Sequence, residues 1–360
     1  PEHFFGKTLA DVIVIGEGEE TIFDLLGAIG NKETLKGIPG IAYREGTEVT
    51  INNRRTLIKD IDSIPFPAYS LFPMEFYRLM RMPHATNTDF VLPILSGRGC
   101  TFNCSFCYRM DEGFRPRSCE SIIEEVNLIK RDYGITYVAF GDELLMSSVK
   151  RTASLCEAII KADLNVKWEC NGRLNYAKPD VLKLMKKAGC VFINYGIEAM
   201  DDNVLKNMKK GLTTPVIIEG IKNTLAIGIS PGFNIIFGNI GDNKATLEKG
   251  VELLLKYDDG SQLRTISPVS HYPGSALYYY AIENGMMKDC EDFYENKHAN
   301  SDLLAVNFTE LSDDQFHQCL LEANSRLITN YFTNKLNNSL DIANDLYLKK
   351  NPEFRGFRQR

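Results

Sequence analysis

Three cysteines lie close together in the segment SGRGCTFNCSFCYR: Cys100, Cys104 and Cys107, spaced C-x3-C-x2-C. Thiols this close cannot bridge one another without strain, but as thiolates they can converge on one soft centre. Zinc normally takes a fourth Cys or His. The histidines, His3, His84, His271, His298 and His317, are all remote in sequence. An iron–sulfur cubane held by three thiolates instead leaves one iron open, and a bidentate small molecule could bind there. Gly97 and Gly99 let the backbone turn tightly before the first thiol.

A site of this kind needs a scaffold, and the sequence spells one out. Strand-type apolar runs occur at 90–95, 135–140, 166–170, 191–197, 233–237 and 264–269. Helical patterns lie between them at 119–132, 149–162, 180–187, 215–227 and 245–256, with Ser118 before the first and Pro215 opening the fourth. Strand and helix alternating in this way predict parallel strands joined by crossovers. A doubly wound flat sheet has the same periodicity. The triplet directly follows the first strand of the series, and sites in such folds form at the C-terminal ends of strands.

Ahead of this series, ADVIVIGEGEETIFDLLGAI reads as a strand, a turn at Gly16 and Gly18, and an amphipathic helix with acidic residues 17, 19 and 20 near its N-terminus. Two short β-like runs around Glu45-Gly46 suggest a hairpin. A Pro-rich connector follows, with Pro65, Pro67 and Pro73. After about residue 272 come a Tyr-rich helix at 276–283, an irregular acidic stretch, a helical run over about 311–347 and the basic tail FRGFRQR, read as a solvated end.

The triplet after the first strand of a βα barrel, with Phe106 just before the third Cys, resembles the radical S-adenosylmethionine (SAM) superfamily. Further stretches agree. Ala139-Phe140-Gly141-Asp142-Glu143 resembles the strand-end motif that holds the cofactor's amino group, though a strand-end acidic cap reads the same way. Trp168 and Arg173 resemble a W-x-C-x-x-R pattern; Arg173 could pair the cofactor carboxylate or form a structural salt bridge. Ala188-Gly189-Cys190 through Gly196-Ile197-Glu198 matches an AGC…GIE stretch, which places Glu198 either at a ribose or amino-acid contact or in a pair with Lys or Arg. PGFNIIFGNIGDNKAT resembles the fifth-strand segment, but Ile240 and Asp242 stand where Pro and Glu are usual; Ile236 and Gly238 are expected near the adenine. Pro268-Val269-Ser270 and HYPGSALY resemble the ending of the sixth unit, where backbone near Val269 would read the adenine edge. Arg115, Arg117 and Ser118 resemble an RxRS run that either binds substrate or caps the next helix. His271 with Tyr272, Tyr278, Tyr279 and Tyr280 reads as a half-buried helix face or as substrate contacts.

The expected fold is therefore α/β: a partial (β/α)6 TIM-like barrel at 90–272, an N-terminal Rossmann-like remnant with a hairpin at 1–56, a linker at 57–89 and a C-terminal helical extension at 273–360. The GEGE turn and the IDSIPFPAY linker resemble the subgroup carrying an N-terminal cobalamin-binding domain. The earlier units of that domain, with their Asp-x-His-x-x-Gly loop, are not in this sequence. Cobalamin is expected only if a longer N-terminal domain exists. The resemblance implies a [4Fe-4S] cluster on Cys100, Cys104 and Cys107, and S-adenosylmethionine held near Phe106, Gly141, Asp142, Glu143, Arg173, Glu198, Ile236 and Val269. It further implies reductive cleavage to a 5′-deoxyadenosyl radical, hydrogen abstraction from a small-molecule substrate, and an electron donor such as flavodoxin or ferredoxin. The alternatives are a cobalamin-dependent radical methyltransferase, if this is part of a longer protein, and a zinc-stabilised binding protein without catalysis.

Composition is compatible with this. The 360 residues carry a net charge of -6, which disfavours nucleic acid as the main partner. No apolar run is long enough to span a membrane, and the start is not a signal peptide. Nine cysteines, an odd number and mostly scattered, argue for a reducing, cytoplasmic setting; the six outside the triplet read as small buried hydrophobes.

Overall fold

The computed structural model describes residues 1–31, 33–80, 82–109 and 113–350. The basic tail at 354–360 lies outside the described residues. The chain opens with α1 (Glu2–Lys7), β1 (Val12–Val14), α2 (Glu19–Asn31), β2 (Ile41–Glu45) and β3 (Glu48–Ile51). The hairpin read around Glu45-Gly46 is β2–β3, and β1 joins its free edge antiparallel, giving the order β1-β2-β3. The linker follows as two 3-10 turns and α3 (Met74–Tyr77).

Next come β4 (Val91–Ile94), β5 (Gly97–Cys100), β6 (Gly113–Pro116), α4 (Cys119–Tyr133), β7 (Tyr137–Phe140), α5 (Val149–Lys161), β8 (Lys167–Gly172), α6 (Pro179–Lys187), β9 (Cys190–Glu198), α7 (Asp202–Asn207), α8 (Thr214–Ala226), β10 (Ser230–Phe237), α9 (Lys244–Lys256) and β11 (Ile266–Pro268). The six expected strands form one sheet in the order β11-β10-β9-β8-β7-β4, and every pairing is parallel. The five expected helices all form. Their starts follow the local chemistry: Ser118 caps α4 by accepting from Ser121 N–H at 3.1 Å, and Pro opens α6 and α8.

The sheet is amphipathic in the period-2 sense, with one face turned to the helices. Trp168 on β8 is fully buried there, meets Phe140 edge-on at 5.6 Å between centroids, and donates from Nε1 to Ala188 C=O at 2.8 Å. Tyr195 on β9 is buried on the same side and reaches Thr224 of α8 at 3.0 Å. Cys156, Cys170, Cys190 and Cys319 are buried, as expected of small apolar side chains, whereas Cys119 and Cys290 are half-buried.

After β11 come α10 (Ala276–Glu283), α11 (Cys290–Asp292) and the long α12 (Asp313–Tyr347). The first part of α12 closes the sheet's edge. Phe316 stacks on Phe237 at 4.8 Å, and the Asn324 amide exchanges two hydrogen bonds with the Ile266 backbone of β11, at 2.8 and 2.9 Å. That pairing satisfies an edge strand with a side chain. Among the described residues, no helix is long and apolar enough to cross a membrane.

Candidate active site

The ribbon β5–β6 was not read from the sequence, and it is the element that presents the first thiol. Its ladder pairs Gly97 with Pro116, Arg98 with Arg115, Gly99 with Phe114 and Cys100 with Gly113. Gly99 has φ +84, and a Cβ there would lie 2.4 Å from Gly113 C=O, so only glycine lets the two strands close. Beyond Cys100 the loop is pinned from two sides. Ser105 N–H donates to Met208 C=O at the end of α7, and Ser105 C=O accepts from Leu277 N–H at the start of α10, both at 2.8 Å. Tyr108 lies over Gly274, where a Cβ would stand 2.9 Å from its ring.

Cys104 and Cys100 lie close enough to act on Cys107. Cys107 is exposed at the loop surface, yet the protein around it partly desolvates the thiol and lifts it to about 11; Cys104, Cys100 and Glu143 add to this, and Lys210 opposes them. Among the described residues, no three His, Cys, Asp or Glu side chains converge as they would around a single metal ion.

Arg173, at the end of β8, reaches the same place. Its guanidinium stacks on Phe102 of the cysteine loop, 3.6 Å from the ring centroid, and the residue is only 5% exposed. Burial lowers its pKa, and nearby Cys104 and Cys100 act in the opposite sense. Nε and Nη2 are buried without a hydrogen-bond partner. Two buried donors of a permanently charged guanidinium thus lie near Cys104 and Cys100 with no partner inside the fold.

The other expected positions divide into groups. Gly141, Asp142 and Glu143 line a cavity of about 370 Å3 with the Gly16–Glu19 turn. Asp142, however, is taken up within the fold: its carboxylate accepts from Ser96 N–H at 2.9 and 3.0 Å and from Ser96 Oγ at 3.1 Å. Phe106, Ile236 and Val269 meet in one apolar cluster with Leu277 and Ile240. Glu198 is buried with φ +69 and pairs with Lys210 Nζ at 2.8 Å. Lys210 Nζ in turn lies 5.9 Å from the Phe106 ring centroid. Sequence reading missed Lys210; the only signal was a lysine shortly after the GIE stretch.

Ser118 is a helix cap, Arg117 binds Glu125 and Ser121, and Arg115 binds Glu17, so the RxRS run is spent on the fold. His271 is fully enclosed between Phe293 and Phe308, while Tyr278 is buried and Tyr279 and Tyr280 lie on the outer face of α10. The helix is half-buried, and His271 keeps both ring nitrogens without a hydrogen-bond partner.

A second cavity, of about 620 Å3, opens over Cys104 and Cys107 and is lined by Arg54, Arg55, Arg109 and Lys209. A roomier cleft of about 890 Å3, between α2, the linker and the end of β4, contains none of the three cysteines.

Comparison with known proteins agrees with this geometry. Residues 94–254 match the Radical SAM superfamily. The chain is 31% identical over 281 residues to an uncharacterized methyltransferase of Pyrococcus horikoshii, covering 77% of this chain and 59% of that protein. It is 29% identical over 248 residues to the anaerobic magnesium-protoporphyrin IX monomethyl ester cyclase of Cereibacter sphaeroides, covering 66% of this chain and 40% of the cyclase. The chain thus spans about half the length of these relatives. Its fold is similar to that of the radical S-adenosylmethionine methyltransferase TsrM from Kitasatospora setae, solved with cobalamin and a [4Fe-4S] cluster: TM-score 0.69 at 16% identity, covering 90% of this chain and 69% of TsrM.

Proposed function

We propose that the protein is a radical S-adenosylmethionine enzyme acting on a small molecule in a reducing, cytoplasmic setting, a reading supported by the match of residues 94–254 to the Radical SAM superfamily. When bound, its [4Fe-4S] cluster and S-adenosylmethionine supply a 5′-deoxyadenosyl radical that abstracts hydrogen from the substrate. Cys100, Cys104 and Cys107 hold the cluster. Arg173 takes the methionyl carboxylate through its unpartnered Nε and Nη2. Glu143, whose charge acts on the Cys107 thiol, accepts from the ammonium. Phe106, Ile236 and Val269 form an apolar wall for the adenine, and Glu198 fixes Lys210 beside it. The two relatives, a methyltransferase and a cyclase, make methylation or ring closure the outcome to test first.

The observation that carries this reading is the buried guanidinium with two unused donors, set beside Cys104 and Cys100 of the three-cysteine loop. The opening over Cys104 and Cys107 is where a one-electron donor such as flavodoxin or ferredoxin would approach. Iron and sulfide analysis of anaerobically prepared protein, followed by assay of 5′-deoxyadenosine release under a strong reductant, tests the proposal. Four irons and four sulfides per chain, with release of the nucleoside, are expected. Zinc without iron rejects the reading and favours a zinc-stabilised binding protein. A cluster without nucleoside release favours an accessory subunit.

Cobalamin-dependent methyl transfer has its own observation. Helix α2 presents Ile22, Phe23, Leu26 and Ile29 to solvent, with Phe23 81% exposed. A contiguous apolar face of this kind suits a further layer of chain. In a longer protein, a cobalamin-binding domain ahead of β1 covers it. Corrinoid absorbance in protein purified from the full reading frame supports that reading; full-length protein that takes up no added hydroxocobalamin rejects it.

A further inference from the structure

The ribbon β5–β6 sets an electrostatic problem. Arg98 and Arg115 stand directly opposite each other across it, and like charges in that position repel. Two strands alone are at best marginally stable. The next ladder position is Gly99 with Phe114, and the one after it holds Cys100. Any splaying of the arginines is therefore passed within two residues to the first thiol.

The repulsion is met by one carboxylate from the front of the chain, 81 residues before Arg98. Glu17 accepts from Arg98 Nη1 at 2.7 Å, from Arg115 Nη1 and Nη2 at 3.0 and 2.9 Å, and from Ile58 N–H at 2.9 Å. Arg98 also pairs with Glu19 of the same turn, and Arg115 donates to Ile58 C=O at 2.6 Å. The Glu17 side chain is 8% exposed. Burial alone would raise its pKa, but the two guanidiniums and the Ile58 amide outweigh it and hold the carboxyl at about 2. The same Gly16–Glu19 turn lines the cavity that contains Glu143. The turn therefore binds the ribbon that carries a cluster ligand and shares a cavity with the loop that carries the ammonium acceptor.

We propose that Glu17 is a positioning residue for the cluster site: it clamps Arg98 and Arg115 so that Cys100 is held in register with the Gly141–Glu143 loop, and it thereby makes cofactor binding depend on the front unit. This rests on the cluster assignment above, so wild-type protein that binds no iron defeats that assignment first and separately.

The test uses the reconstituted holoprotein of Glu17→Gln and of the triple variant Glu17→Met, Arg98→Met, Arg115→Met. The second removes the buried carboxylate and both arginines and leaves only the more exposed Glu19, so no guanidinium is left buried without a counter-charge. Three quantities are read: iron per chain, thermal midpoint, and the change in the reduced cluster's EPR signal on adding S-adenosylmethionine. The single variant is expected to keep its iron but to need about tenfold more S-adenosylmethionine for the EPR change, an effect in the usual range for coupled sites. The triple variant is expected to recover the thermal midpoint and still show the weakened response. A triple variant with both midpoint and EPR response at wild-type levels overturns the proposal, because Glu17 would then only balance charge. A folded single variant with a wild-type response overturns it equally. If the single variant does not fold, the triple variant decides.

Discussion

The two ends of the parallel sheet are built from the same strands and use their polar groups differently. At the N-terminal end, Asp89 accepts from Thr86 N–H and Oγ1, from Lys167 Nζ and from Thr136 Oγ1, at 2.7 to 3.0 Å. Tyr137 OH donates to Glu169 at 2.6 Å, and His84 of the linker stacks on Phe192 at 3.8 Å. Arg264 is held by Asp258, Asp259 and Pro231 C=O. At the C-terminal end, Arg173 keeps two buried donors without partners, and Asn239 has both ends of its amide unpartnered. The division is not complete, since His84 Nε2 and Arg264 Nε also lack partners. It is still informative: one end spends most of its polar groups on tying the strand starts together, and the other leaves buried groups unpaired.

Removing a thiol at the open end is the largest expected perturbation. Cys104→Ala takes away one of three ligands, and cluster occupancy is expected to collapse, with iron per chain falling at least several-fold and the thermal midpoint barely changed. Wild-type iron content in this variant would sink the assignment of the loop. Arg173→Gln comes next. It retains the cluster while S-adenosylmethionine affinity, followed by equilibrium dialysis, falls by about tenfold to a hundredfold, as loss of a charge-assisted pair predicts. Arg173→Lys should recover little of this, because an ammonium cannot offer the two-pronged guanidinium. Unchanged affinity in both variants would leave Arg173 a packing residue on Phe102.

The closed end is sharpened by pH. Burial works against the Asp89 carboxylate, but hydrogen bonds from Lys167, Thr86 and Thr136 outweigh it and hold its pKa down at about 2. Its folded pKa is thus below its unfolded one. The stabilisation is complete above about pH 4 and is lost as pH falls toward 2, amounting to about 2 kcal/mol. Asp89→Asn should be less stable than wild type at neutral pH by about that amount, and the gap should narrow below pH 4. Asp259 shares the same direction, so the quantity to measure is the difference between the two proteins in denaturant midpoint. A gap that stays constant from pH 7 to 3 would contradict the assignment.

Much of this contrast was legible before any coordinates. The six strands and five helices are short runs punctuated by caps and prolines, and local chemistry sets their limits, as at Ser118 and Pro215. The triplet was legible because three thiols in one loop have few other uses. The ribbon β5–β6 was not: Gly-Arg-Gly-Cys has no apolar alternation, and its partner charge comes from Glu17, far away in sequence. The same distance explains why Glu17 read as a dipole-complementing acid at the start of α2. The helix begins at Glu19, and Glu17 turns to the arginines. Glu198 and Lys210 form a pair only because α7 folds back after β9, and sequence alone left the Glu198 partner open.

Ser118 gives the smallest expected effect and the cleanest separation between the two kinds of polar group. Its hydroxyl accepts from Ser121 N–H at 3.1 Å and so satisfies one donor at the start of α4. Its backbone N–H bonds to Asp62 of the linker at 3.0 Å, and a side-chain change leaves that bond intact. Ser118→Ala should therefore cost about 1 kcal/mol of stability, the usual size of a lost cap. Because the cap faces the helix and not the thiol loop, iron content and the EPR response to S-adenosylmethionine should match wild type. A changed response at unchanged stability would put Ser118 among the groups kept for ligands, and the line drawn here between structural and reserved polar groups would have to move past α4.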